Sequence, residues 1–238
     1  MKKICNDQFM ICYEKSNHPY NKVKIIFCEF CSSKFDASLY ENLIFKEPDS
    51  IKVSVQKRRA EFLAGRMAAI NALKLMGGHA CEIPIGEYRN PIWPAGVTGS
   101  ITHYSNTALA IVANKEDAKF VGIDCEGIMS LELAETIGNV ILIDNERSYS
   151  KENNIPYRFF CTLIFSAKES LFKAIYPYIC QYIEFDAANV IDICLLKNTF
   201  KIKLTKKITS DFDIGRCFNG YFEIESNHIV TMIICNDC

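Results

Sequence analysis

Asp124 and Glu126 close a short apolar run, Val121-Gly122-Ile123. On a strand, residues two apart share a face. Two carboxylates on one face at a strand end make a hard oxygen site suited to Mg²⁺, although D-x-E taken alone is more often just the solvated end of a strand. A second group lies in FSAKESLFK: Lys168, Glu169 and Lys173. Glu169 and Lys173 share a helix face, and alone they form a surface ion pair contributing about 0.3–0.5 kcal/mol. The segment around them is aromatic and aliphatic (Phe159, Phe160, Phe165, Leu171, Phe172), so a charged cluster within it points toward a cleft. Arg58 and Arg66 are spaced by a little over two helical turns and so lie near one face. Two guanidinium groups there can clamp phosphates or simply be solvated. In Gly99-Ser100-Ile101-Thr102-His103 the histidine sits among small and hydroxyl residues, where a ring N–H suits an anion.

These residues need elements to hold them. The proline-free stretch from Lys57, RRAEFLAGRMAAINALKLMG, has helical spacing and stops at Gly77-Gly78. SITHYSNTALAIVANK reads as two strands turning at Ser105-Asn106, and VGIDCE as a strand ending in two acids. Leu131 to Ile143 reads as a second helix, and FFCTLIFSAKESLFKAIYP as a long helix ended by Pro177. From Ile183 the pattern turns strand-like, with a hairpin at Asn227-His228. The two hairpins have similar texture. The order predicts an α+β fold of two similar halves, residues 1–115 carrying the helix and hairpin of the arginines and His103, and residues 116–238 carrying the acidic site and the long helix.

Composition agrees with a folded chain: 49% of the 238 residues are hydrophobic and 23% charged, with a formal net charge of −1. No global basic surface for nucleic acid is indicated. Asn6, Asp7 and Gln8 interrupt the apolar N-terminus, and no run approaches a membrane span. The reading is a soluble, cytoplasmic protein. Its twelve cysteines are scattered, several inside apolar runs, as expected of free thiols in a reducing compartment. Two CxxC pairs, Cys28/Cys31 and Cys235/Cys238, offer four thiolates for zinc, but they are far apart in the chain, unlike the close pairs of a zinc ribbon.

The strings RRAEFLAGR, WPAGVTGSITH, VGIDCE and FSAKESLFKA, in that order, resemble the 4′-phosphopantetheinyl transferase superfamily, and look closest to its enterobactin-synthetase-component type. The resemblance covers about Lys57 to Ala174. It implies two pseudo-symmetric α+β halves with coenzyme A bound between them. It implies transfer of phosphopantetheine from coenzyme A to a serine of an apo carrier protein of siderophore, peptide or polyketide synthesis, releasing 3′,5′-ADP. By the same resemblance, Asp124, Glu126 and Glu169 hold Mg²⁺, and Asp124 also faces coenzyme A. Arg58 and Arg66 hold the nucleotide and its phosphates, Thr102 and His103 form the [ST]-H motif at a phosphate, and Lys173 faces the pyrophosphate. Glu169 is the candidate base for the acceptor serine.

One departure from the family is Ile85, where many relatives carry lysine; Arg89 is expected to supply that charge. Carrier docking is expected on the apolar residues Ile128, Met129, Leu131 and Leu133, in a monomer. The competing readings are another Mg²⁺-dependent phosphoryl or nucleotidyl transferase on the same acids, a degenerate carrier-binding module, and a zinc-stapled interaction domain.

Overall fold

Unit 1 (Met1–Lys119) is built from β1 (Lys2–Asn6), β2 (Met10–Lys15), β3 (Lys24–Phe30), a one-turn helix α1 (Asp49–Lys52), the long helix α2 (Gln56–Leu75), and the hairpin β4 (Val97–Tyr104) with β5 (Thr107–Asn114). Unit 2 (Phe120–Cys238) contains β6 (Phe120–Gly127), α3 (Leu131–Ile141), α4 (Asp144–Glu152), α5 (Tyr157–Ile179) and the meander β7 (Ala188–Cys194), β8 (Thr199–Leu204), β9 (Cys217–Glu225) and β10 (His228–Cys235). This computed structural model describes residues 1–15, 20, 22–225 and 227–236. Each unit is a five-stranded antiparallel sheet with a long helix laid on it, in the orders β1-β2-β3-β5-β4 and β6-β10-β9-β8-β7. The α+β architecture read from the sequence is the one found.

In unit 1 the small residues of α2 let it lie close on the sheet. Ala60, Ala64, Ala68, Ala69 and Ala72 are all fully buried. A Cβ on Gly65 would come within 2.9 Å of Ile101 Cγ2 on β4. The helix ends as its glycines dictate. Gly77 takes φ +83°, its N–H bonds Lys74 O, and the Gly78 N–H reaches back to Leu73 O, which satisfies two terminal carbonyls in a Schellman arrangement.

Unit 2 hangs on a closer approach. A Cβ on Gly122 of β6 would lie 1.9 Å from Ser170 O and 2.8 Å from Ala174 N of α5. Only glycine lets the strand and helix backbones meet there. The apolar residues of α3, α5 and the sheet close one core around Phe120, Phe160, Phe218 and Phe222.

Several expectations are corrected. Pro177 does not end α5, which continues to Ile179 and stops at Cys180 in the left-handed region. A proline in the last turn forfeits only one intrahelical bond, and the Cys180 N–H still bonds Tyr176 O. The second helix stops at Ile141, because the Ile143 N–H is taken by the Glu146 side chain at the start of the separate helix α4. Met129 is not part of an exposed patch. It is 7% exposed and packs in the core of unit 2, its N–H bonded to Thr162 Oγ1. The cysteines are not all free thiols: Cys12 and Cys28 face each other across β2 and β3, with Cα atoms 4.2 Å apart, and are joined as a buried disulfide. That engages one thiolate of the zinc reading; Cys238 lies outside the described residues. Among the described residues no helix is long and apolar enough to cross a membrane.

Candidate active site

Strand alternation puts Gly122, Asp124 and Glu126 on the face of β6 that meets α5. On the helix, Ser166, Glu169 and Lys173 follow at three- and four-residue steps and so present one face. Asp124 is pinned between them. Its Oδ2 accepts a bond of 2.9 Å from Ser166 Oγ, and its Oδ1 one of 2.6 Å from Lys173 Nζ. Ser166 is itself 2.8 Å from Thr231 Oγ1, on the residue opposite Asp124 in β10. The carboxylate is 3% exposed, so its charge is held by named partners and little water.

Glu126 and Glu169 complete the acidic set. Burial, the charge of Asp124 and, more weakly, that of Glu169 push the Glu126 carboxyl up to about 7, with Lys173 opposing. Burial and Asp124 also raise Glu169, again against Lys173. Three carboxyl groups therefore share the field of one ammonium. Repulsion of this kind is relieved by a hard cation. Among the described residues no three acidic, histidine or cysteine side chains already converge as a ligand set. The donor chemistry nonetheless suits Mg²⁺, since every candidate ligand is a carboxylate oxygen.

Lys168, grouped with these residues in the sequence, points elsewhere. Its ammonium is buried and donates to Ile141 O at 2.7 Å and Glu146 Oε2 at 2.8 Å. Glu146 also accepts from the N–H groups of Ile143 (3.0 Å) and Val190 (2.8 Å). The pair ties α5, the α3–α4 turn and β7 together.

In unit 1 the three candidate arginines line one cavity of about 990 Å³. Arg58 and Arg66 come from α2. Arg89 comes from the turn after Gly86, where it adopts φ +66° and its N–H bonds Gly86 O. Ile85, at the position of departure, lines the same cavity. Arg66 is 6% exposed and stacks on Phe62 at 4.7 Å, and its Nε has no hydrogen-bond partner among the described residues. Burial, then repulsion by Arg58, pulls its guanidinium down to about 10. A buried cation with an unspent donor is a place for an anion.

His103 meets this group through Arg58, whose Nη1 donates to His103 Nε2 at 2.6 Å. The imidazole Nδ1 lies 3.7 Å from Glu61 Oε2, and Glu61 also faces Arg58 at 3.5 Å. Glu61 escaped the sequence reading; its place one turn from Arg58 on α2 was the available signal. Thr102 is not brought to this group. Adjacent strand residues take opposite faces, and Thr102 is buried on the other side of β4 from Ile101 and His103.

Two family models match the chain: the 4′-phosphopantetheinyl transferase N-terminal domain over residues 46–113, and the 4′-phosphopantetheinyl transferase superfamily over residues 120–223. The chain is 40% identical over 144 residues to enterobactin synthase component D of Salmonella typhi, covering 59% of each chain. It is 43% identical over 119 residues to the protein of the same name from Escherichia coli K12, covering 50% of this chain and 55% of that one. It is 34% identical over 144 residues to 4′-phosphopantetheinyl transferase Npt of Nocardia iowensis, covering 60% and 64%. The matched segments span less than two thirds of the length of these relatives.

Proposed function

The chain belongs to the 4′-phosphopantetheinyl transferase superfamily, and we propose that it moves the phosphopantetheine arm of coenzyme A onto a serine hydroxyl of an apo carrier protein, acting as a cytoplasmic monomer. The observation that carries this reading is Asp124, fixed by Ser166 and Lys173 with Glu126 and Glu169 beside it.

In this reading Arg58, Arg66 and Arg89, with His103 on Arg58, bind and orient the nucleotide and its phosphates. Asp124, Glu126 and Glu169 would hold Mg²⁺, which would supply charge neutralisation for the pyrophosphate and the departing 3′,5′-ADP. Lys173 moves part of its attraction from Asp124 to the pyrophosphate oxygens as the P–O bond breaks. The serine oxygen forms the new bond to the β-phosphorus, and 3′,5′-ADP leaves with the electron pair of the old one. Glu169 takes the serine proton, directly or through a water. The carrier docks on α3, where Leu131 and Leu133 are about half exposed and Val140 more so.

Mass spectrometry of an apo carrier protein incubated with this chain, coenzyme A and Mg²⁺ tests the reaction class. A gain of one phosphopantetheine is expected. An unmodified carrier, with coenzyme A intact, sinks the reading.

A further inference from the structure

Four carboxylates line the cavity of Arg58, Arg66 and Arg89: Asp49, Glu82 and Glu87 are exposed, whereas Glu47 is buried in its wall. Its side chain is 5% exposed. Behind it lies Arg59, the residue next to Arg58 but turned to another side of α2. Arg59 Nε and Nη2 each donate to one Glu47 oxygen at 2.7 Å, a bidentate fork. The guanidinium also lies over the Phe35 ring at 5.0 Å, which holds the fork in place. Tyr40, packed edge-on between Phe35 and Phe45, has a buried hydroxyl without a hydrogen-bond partner among the described residues, within electrostatic reach of Glu47, Arg59 and Arg66.

Both Glu47 oxygens are thus occupied by a cation that does not itself line the cavity. Were Arg59 absent, a nearly dry carboxylate would sit in the wall with no partner. The cations that line the same cavity, Arg58, Arg66, Arg89, Lys46 and Lys52, would then be its available partners, and on the arginines it would compete with the ligand's phosphates.

We propose that Arg59 is a positioning residue of the anion cavity: by binding both oxygens of Glu47 it keeps that carboxylate from occupying the arginines that receive the ligand. This rests on the reading of the cavity as a phosphate site, and the test separates the two. A simple latch that only holds the Phe45–Ser54 wall in place would suffer alike from loss of either partner. A charge-cancelling role predicts opposite outcomes for the two partners.

Wild type, Arg59→Met, Glu47→Gln and the double variant are titrated calorimetrically with 3′,5′-ADP and, separately, with inorganic pyrophosphate, and melted without ligand. Arg59→Met is expected to weaken anion binding about tenfold. Glu47→Gln should bind at least as tightly as wild type, and the double variant should return to within about threefold of it. Equal losses in both single variants, unrelieved in the double, overturn the proposal. So does an Arg59→Met that binds like wild type. Should Arg59→Met not fold, Glu47→Gln decides alone, since any clear loss of affinity there refutes charge cancellation. If the pattern appears with pyrophosphate while wild type ignores 3′,5′-ADP, the inference stands and the nucleotide reading falls. Wild type that binds neither anion overturns both.

Discussion

Replacing Lys168 with methionine is expected to destabilise unit 2 severely, although Lys168 adjoins a proposed metal ligand and would pass for a catalytic residue. The side chains of Lys168 and Glu146 are 3% and 0% exposed. Removing the ammonium leaves a buried carboxylate with only the Ile143 and Val190 N–H groups to hold its charge. It also leaves Ile141 O without its donor. Breaking a buried pair from one side costs about 3–5 kcal/mol. For a unit of this size each kcal/mol lowers the midpoint by roughly 3–6 °C, so the first thermal transition should fall by about 9–30 °C. Replacing both partners, as Lys168→Met with Glu146→Leu, removes the unpaired charge and should recover much of that loss, because apolar isosteres of a buried pair are often neutral. Far-UV circular dichroism melts of the full chain read all four states of the cycle. A Lys168→Met midpoint within about 3 °C of wild type refutes the reasoning. A double variant that melts as low as the two single losses added together refutes it as well, since the coupling would then be absent.

Two further outcomes test the active-site reading. Asp124→Asn keeps the volume and one acceptor for Ser166 but removes the charge; transfer should drop at least ~100-fold with the circular dichroism spectrum unchanged, and near-normal turnover at saturating Mg²⁺ would remove Asp124 from the site. On α3, Leu133→Asp should raise KM for the carrier severalfold without moving KM for coenzyme A, whereas Met129→Asp, which puts a charge into the core, should lower the melting midpoint instead; the reverse pairing of effects would place the docking surface elsewhere.

What could be read from the sequence depended on whether the signal was local. The alanine-rich α2 with its double-glycine stop, the β4–β5 hairpin and the long apolar α5 all carry their periodicity and punctuation within a few residues. The helix α4, DNERSYSKE, carries no apolar stripe. Glu146, bonding to Lys168 and to the Val190 N–H, and Tyr149, stacked on Phe160 and accepting from the Ile193 N–H, dock it on the unit, so its existence depends on residues more than ten positions away. The fork of Arg59 on Glu47 and the single bond of Lys168 to Glu146 share this property. A charge has no sequence mark that tells whether its partner is solvent or a carboxylate brought in by the fold. Met129 fails in the same way, since residue type does not decide exposure in a loop.

Period two was the most reliable guide to the site itself, and it also limited it. It put Asp124 and Glu126 on one face of β6, and the same rule sends the side chains of Thr102 and His103 to opposite faces of β4. The glycine in VGIDCE belonged to that argument too. Two residues before Asp124, it shares the carboxylate's face, and its missing Cβ is what lets α5 come close enough for Ser166 and Lys173 to reach Asp124. A side chain at Gly122 would push the helix off the strand by more than a hydrogen bond tolerates, since its Cβ would stand 1.9 Å from Ser170 O. Spacing, helix contact and carboxylate geometry are therefore one constraint, with the glycine setting the distance at which the acids and the lysine meet.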